Sequence, residues 1–126
     1  MNILENRNLY RLSGRTTRQE GVLYLGYSAS FLEFSFKGTR AEAEFVTDLL
    51  DWEEMHRAWV AVFVNGAETP ALRFPLTKAK ERFVLYESAE ATEVTLRIMK
   101  YSEAAFNALG ITSVEVDGEM LPPPVA

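Results

Sequence analysis

The chain has no cysteine among its 126 residues, which excludes disulfides, thiolate metal sites and a cysteine nucleophile. It has one histidine, His56, and no Gly-x-Ser-x-Gly segment to present a serine to it. One histidine with scattered carboxylates is also too few donors at unhelpful spacings for a metal centre. Glycine-rich phosphate loops are missing, so neither a metal nor another cofactor is expected. Positive charge is in short supply as well: the net charge is −5 and the pI about 4.9. Binding to nucleic acid needs a basic patch to neutralise phosphates. The nearest approach to one, Arg7, Arg11, Arg15 and Arg18, is short and offset by acids elsewhere, so no nucleic-acid partner is expected. No window reaches the ~20 apolar residues of a membrane-spanning helix, and no membrane partner is expected. The opening stretch Met1–Asn8 carries Glu5 and lacks the apolar run of a secretory leader. A cytoplasmic location is the expectation for the chain as written, and a secreted one if a leader originally preceded it.

What is present is apolar and patterned. The composition is 48% hydrophobic and 12% aromatic, too apolar for a disordered chain, and the length suits one domain with a real core. Val94, Leu96 and Ile98 alternate with Glu93, Thr95, Arg97 and Met99, the two-residue period of a strand with one face on a core. Ile111, Ser113 and Glu115 alternate in the same way with Thr112, Val114 and Val116. Asp117-Gly118 then turns the chain, and Pro122, Pro123 and Pro124 follow as an extended exit.

The rest of the chain reads similarly. Leu9–Leu12 starts a strand running towards Gly14-Arg15, and Thr16–Glu20 continues it or turns. Val22–Leu25, set between Gly21 and Gly26, suits a buried strand. Phe31–Lys37 and Arg40–Thr47 form an expected hairpin closed by a tight turn at Gly38-Thr39. In it Leu32, Phe34, Phe36, Ala41, Ala43 and Phe45 point inward, and Phe31, Glu33, Ser35, Glu42 and Glu44 point outward. Asp48–Arg57 fits either a short helical turn or a loop capping one end of a sandwich. Ala58–Val64 is apolar on both faces and ends at Asn65-Gly66, a strong hairpin signal. Leu72–Phe74 returns between Pro70 and Pro75, where prolines suit an edge strand. Lys80–Tyr86 is a further strand, and Glu87–Ala91 turns into Glu93–Met99. Roughly eight to ten short strands with Gly, Pro or Asn-Gly between them predict an all-β antiparallel sandwich, with a jelly roll the preferred topology. No internal repeat or strand–helix alternation appears, which disfavours a parallel α/β sheet.

Candidate chemistry is sparse. Glu42 and Glu44 share one strand face, but glycosidase acids must face each other across a sugar, so the pair reads as a solvated face. Trp59, inside an apolar strand, reads as core. Trp52 and Asp51 fall in the irregular segment with His56, and aromatic residues on sandwich loops stack on sugar rings or anchor neighbouring domains. Trp52, Asp51, His56 and Tyr101 are therefore the candidate glycan or domain contacts. Tyr24 and Tyr27 fit a sugar contact or an anchor equally, and Gly66, Gly110 and Gly118 read as turn glycines.

Several segments, taken in order, resemble a known family: Gly14-Arg15, Phe31–Thr39, Val60–Gly66, Val94–Lys100 with Ser102-Glu103, Gly110–Gly118 and Leu121–Pro124. Together they look like the N-terminal β-sandwich of carbohydrate esterase family two, whose members are acetyl esterases acting on xylan and related glycans. In that family the sandwich precedes an SGNH/GDSL-type hydrolase domain that carries the serine and histidine. No position here matches those residues, so no catalytic residue is assigned. The resemblance implies a sandwich domain over residues 1–120 and a proline-rich exit over 121–126 leading to a C-terminal SGNH hydrolase domain. It implies as partners that domain of the same polypeptide and acetylated polysaccharide or oligosaccharide. The chain alone is then a non-catalytic accessory domain of a serine acetyl esterase. The alternative is a stand-alone carbohydrate-binding or protein-interaction sandwich.

Overall fold

The computed structural model describes residues 2–26, 29–47, 58–101 and 109–124. Two 3-10 turns, Ile3–Glu5 and Arg7–Leu9, lead into nine strands: β1 (Tyr10–Ser13), β2 (Thr16–Gln19), β3 (Val22–Leu25), β4 (Phe31–Val46), β5 (Trp59–Val64), β6 (Leu72–Pro75), β7 (Lys80–Lys100), β8 (Leu109–Val116) and β9 (Glu119–Leu121). They form one sheet in the order β2-β3-β8-β4-β7-β5-β6, with β1 and β9 also paired to β4, and every pairing is antiparallel. The all-β antiparallel sandwich expected from the alternation is what the chain forms.

The expected hairpin at Gly38-Thr39 is not there. Residues 31–46 form one continuous strand, and residues 80–100 form a second, so the turn expected at Glu87–Ala91 is absent too. The two long strands pair along both halves, and their register jumps between Gly38↔Thr92 and Arg40↔Glu87. The extra residues on β7 make a bulge, which bends the strand pair and increases its twist. The two halves of β4 thereby enter two arms whose buried residues share one cluster. In the first arm Phe31–Lys37 pairs with β1, β9 and the C-terminal half of β7, with β5 and β6 beyond. In the second, Ala41–Val46 pairs with β8 and the N-terminal half of β7, with β3 and β2 beyond.

Both arms face one apolar core. Leu32, Phe34, Phe36, Val60, Val62, Leu96 and Ile98 of the first arm share a buried cluster with Ala41, Ala43, Phe45, Leu85, Ile111 and Val114 of the second. At the open side the edge strand β6 is pinned by aromatic contacts. Phe74 stacks on Phe83 with ring centres 3.9 Å apart and meets Phe45 edge-on at 5.9 Å.

The bend leaves the backbone N–H groups of Thr39 and Arg40 beside the bulge. Asp117 satisfies both: its Oδ1 accepts from Thr39 N at 2.9 Å and Arg40 N at 3.0 Å, and its Oδ2 accepts from the Thr39 hydroxyl. The hydroxyl bond, helped by the backbone donors, holds the Asp117 carboxyl below the usual aspartate range. The β8–β9 turn thereby clamps the bend, and only glycine fits there, because a Cβ on Gly118 would lie 1.9 Å from the Lys37 carbonyl oxygen.

Other turns follow the sequence. Asn65 and Gly66 both have positive φ, 52° and 73°, as a type I′ turn requires, and Ala67 N donates to Val64 O at 3.1 Å. The return strand β6 starts only at Leu72, however, so Asn-Gly opens a longer connection. Gly110, read as a turn glycine, lies within β8, where a Cβ would meet Val22, Val46 and the Tyr24 ring at 2.7–3.0 Å.

Candidate functional site

The bend puts both ends of β4 at the opposite end of the sandwich. There Ser30, Thr47, Ala58, Ala79 and Tyr101 are tied together by backbone bonds or strand ends: Lys100 N to Ser30 O, Thr47 N to Ala79 O, Leu76 N to Ala58 O and Tyr101 N to Trp59 O, each 2.9–3.0 Å. Of the sequence-derived candidates, Tyr101 stands at this end and is 44% exposed. Asp51, Trp52 and His56 lie outside the described residues, as do Tyr27 and the whole Asp48–Arg57 segment. The described anchors of that segment, Thr47 and Ala58, are at the same end as Tyr101.

Beside Tyr101 lies the outward face of the first arm. Cross-strand register builds it in rows. Arg11, Glu33, Arg97 and Phe63 line up across β1, β4, β7 and β5. The next row is Ser13, Phe31, Met99, Ala61 and Arg73. Beyond it Tyr101 meets Trp59, which pairs with Pro75. Trp59, expected in the core, is half-buried on this outward face, because its inward neighbours in alternation are Val60 and Val62.

Glu33 organises the face. It points outward by alternation, as expected, yet it is only 4% exposed. A carboxylate is buried only when it is paired, and two arginines pair it. Arg11 Nη2 donates to Oε1 at 2.8 Å, and Arg97 Nε donates to Oε2 at 3.1 Å. The same guanidinium groups lie over the Phe31 ring, Arg97 at 4.1 Å and Arg11 at 5.0 Å from its centre. Arg73 reaches over two more rings, Tyr101 at 5.6 Å and Trp59 at 6.0 Å. Three arginines against one carboxylate give the patch a charge of about +2, opposite in sign to the chain as a whole.

The second arm's outward face is of another kind. Arg40 bridges Glu42 and Glu87 at 2.9 and 2.7 Å, and Arg82 lies 3.6 Å from Glu42 and 3.5 Å from Glu115. The Arg40 hydrogen bond holds the Glu42 carboxyl below its usual range and in turn raises the Arg40 guanidinium above its own. Glu44 accepts from Thr112 and lies 3.7 Å from Lys80. Glu42 and Glu44 are thus the charged, solvated face read from the sequence.

The basic run near the N-terminus does not act as one patch. Arg11 goes to Glu33. Arg7 bonds the Tyr10 carbonyl at 2.6 Å, and Arg18 bonds the Leu4 carbonyl and the Tyr10 hydroxyl. Arg7 and Arg18 line an open groove of about 390 Å³ with Leu4, Tyr10, Leu12 and Leu23. Among the described residues no three His, Asp or Glu side chains gather as metal ligands. The sequence reading missed Arg97, Arg73, Phe63 and Met99. The available signal was Phe31 on the outward side of a strand whose inward side was already apolar.

These features define an all-β antiparallel sandwich domain whose first arm carries arginines and aromatic rings on its outward face. The sequence matches the Carbohydrate esterase 2 N-terminal family over residues 12–124, and the chain belongs to that family. Its fold is similar to that of an acetyl xylan esterase from Butyrivibrio proteoclasticus, with TM-score 0.80 and 22% identity over 95% of this chain and 32% of that one. A family two carbohydrate esterase from Cellvibrio japonicus gives TM-score 0.79 and 21% identity over 94% of this chain and 33% of that one. The chain thus spans about a third of the length of these esterases. A family 35 carbohydrate binding module from an environmental isolate shares the fold at TM-score 0.60 and 13% identity, over 97% of this chain and 96% of that one. Among curated protein sequences none matches.

Proposed function

We propose that this chain is the non-catalytic N-terminal accessory domain of a carbohydrate O-deacetylase. In this reading it packs on a following SGNH hydrolase domain and helps shape the cleft that takes acetylated xylan or a related glycan. The observation that carries it is the family match over 12–124, together with solved relatives about three times as long. The parent then cleaves acetyl esters through a serine acyl-enzyme, with a histidine base and an oxyanion hole supplied by the second domain. In this reading residues 1–120 are the sandwich domain and 121–126 the exit towards the second domain, an exit that begins at Leu121, the last residue of β9.

The test has two parts. The native reading frame is sequenced past the codon for Ala126 and its product assayed on an aryl acetate, alongside this chain alone. The longer product is expected to hydrolyse the ester, and residues 1–126 to match buffer. Turnover by the short chain, or an inactive long product, overturns the reading. A second reading, a free-standing carbohydrate-binding module, has support from the family 35 module, 96% of which this fold covers. It predicts retention on xylan that Trp52→Ala abolishes and His56→Ala leaves intact.

A further inference from the structure

We propose that the outward face of the first arm, formed by Arg97, Met99, Arg73 and Tyr101 around a Phe31 ring that is itself buried beneath the Arg11 and Arg97 guanidinium groups, is the surface on which the following domain of the same polypeptide docks. This rests on the accessory-domain reading and adds the face and its chemistry. Aromatic residues, methionine and arginine are the side chains enriched at the centres of protein interfaces, whereas lysine and glutamate are depleted there. The first arm's face has that composition in adjoining rows, while the second arm's face is a lattice of Glu, Arg and Lys ion pairs.

Three further observations point the same way. Glu33 is already out of water beneath Arg11 and Arg97, so covering this face desolvates two weakly hydrated guanidinium groups rather than a bare carboxylate. Arg73 stacks on two rings but makes no hydrogen bond or ion pair with a described residue, which leaves its donors for a partner's carboxylates. Finally, β9 pairs Leu121 with Ser35, two residues along β4 from Glu33 and on the same side of the strand. The chain therefore leaves the sheet beside this face and continues into Pro122–Pro124. The occupant is a folded domain presenting apolar groups and carboxylates.

Hydroxyl-radical footprinting tests this on residues 1–126 and on the product of the longer native reading frame. Oxidation of Met99 and Tyr101 is expected to fall at least threefold in the longer polypeptide, with Leu72 and Val84 unchanged. Arg73→Glu in the longer polypeptide should return Met99 and Tyr101 towards the short-chain rates. An esterase-active long product with these residues unprotected, or with Leu72 and Val84 protected instead, overturns the docking face and leaves the accessory-domain reading standing. Protection that appears only when xylan is added overturns it in favour of a glycan face. A reading frame with no second domain removes both proposals together.

Discussion

Glu33 is an acid held in place by the basic side chains on either side of it in the sheet. Both carboxylate oxygens are used, and both arginines are partly exposed, at 24% and 32%. Removing the charge leaves Arg11 and Arg97 facing each other over Phe31 with no anion between them. Glu33→Gln is therefore expected to cost about 2–3 kcal/mol, less than breaking a fully buried pair because the arginines keep some water. Urea unfolding of the two proteins measures it, and a loss under 0.5 kcal/mol would refute the pairing as a structural contribution. Asp117 gives a pH dependence instead. Its carboxyl sits below the usual range in the folded chain because the Thr39 hydroxyl and two backbone donors bond the charged form. A depressed carboxyl contributes stability that is present above its unfolded value and lost as pH falls through its folded one. Thermal unfolding midpoints should therefore drop below about pH 4, and Asp117→Asn should flatten that acid limb while leaving neutral-pH unfolding cooperative.

At the scale of elements, the bend between the halves of β4 and β7 decides everything downstream. Gly118 is its tightest point, where an added methyl meets a backbone carbonyl rather than a movable side chain. Gly118→Ala is expected to cost about 2 kcal/mol, within the range for overpacking. Differential scanning calorimetry would show it as a lowered midpoint, and an unchanged midpoint would mean that the turn relaxes freely. The edge strand β6 has its own fastening in the Phe74–Phe83 stack. Phe74→Ala should speed amide hydrogen exchange in β6 and at Leu76 well before it does so in β4 or β8. Equal acceleration across all strands would make Phe74 an ordinary core residue instead of a local clasp.

Across the described residues both arms feed the same apolar core, and the N-terminal Asn2 is tied to the C-terminal third. Asn2 bonds Thr112 O at 3.2 Å and accepts from Val114 N at 3.0 Å. No arm buries its apolar side without the other, so unfolding should be a single transition by tryptophan fluorescence and by far-ultraviolet circular dichroism. Non-coincident transitions would show that the arms melt separately. Because most pairings join distant segments, folding belongs in the millisecond-to-second range typical of sandwiches.

Much of this was legible in the chain itself. Alternation at Val94–Met99 and at Ala41–Phe45 determined which side chains are buried, because the strand period depends only on backbone geometry. Asn65-Gly66 determined its turn because both positions need positive φ, and Pro70 and Pro75 marked an edge because proline lacks a ladder donor. The family resemblance, resting on strand and turn patterns, agreed with the family match. What the tertiary structure decided was non-local. Gly38 is a turn residue and Glu87–Ala91 is a polar, alanine-rich break between two apolar runs, so the local pattern reads as a turn at each. The pairing of β4 with β7 on both sides of the bulge, and the reach of Asp117 across to Thr39, make two long bent strands instead. Likewise no local signal distinguishes a solvated Glu33 from a buried one. Its burial depends on Arg11 and Arg97, which only sheet register brings alongside, because a cross-strand neighbour is fixed by pairing and not by distance along the chain.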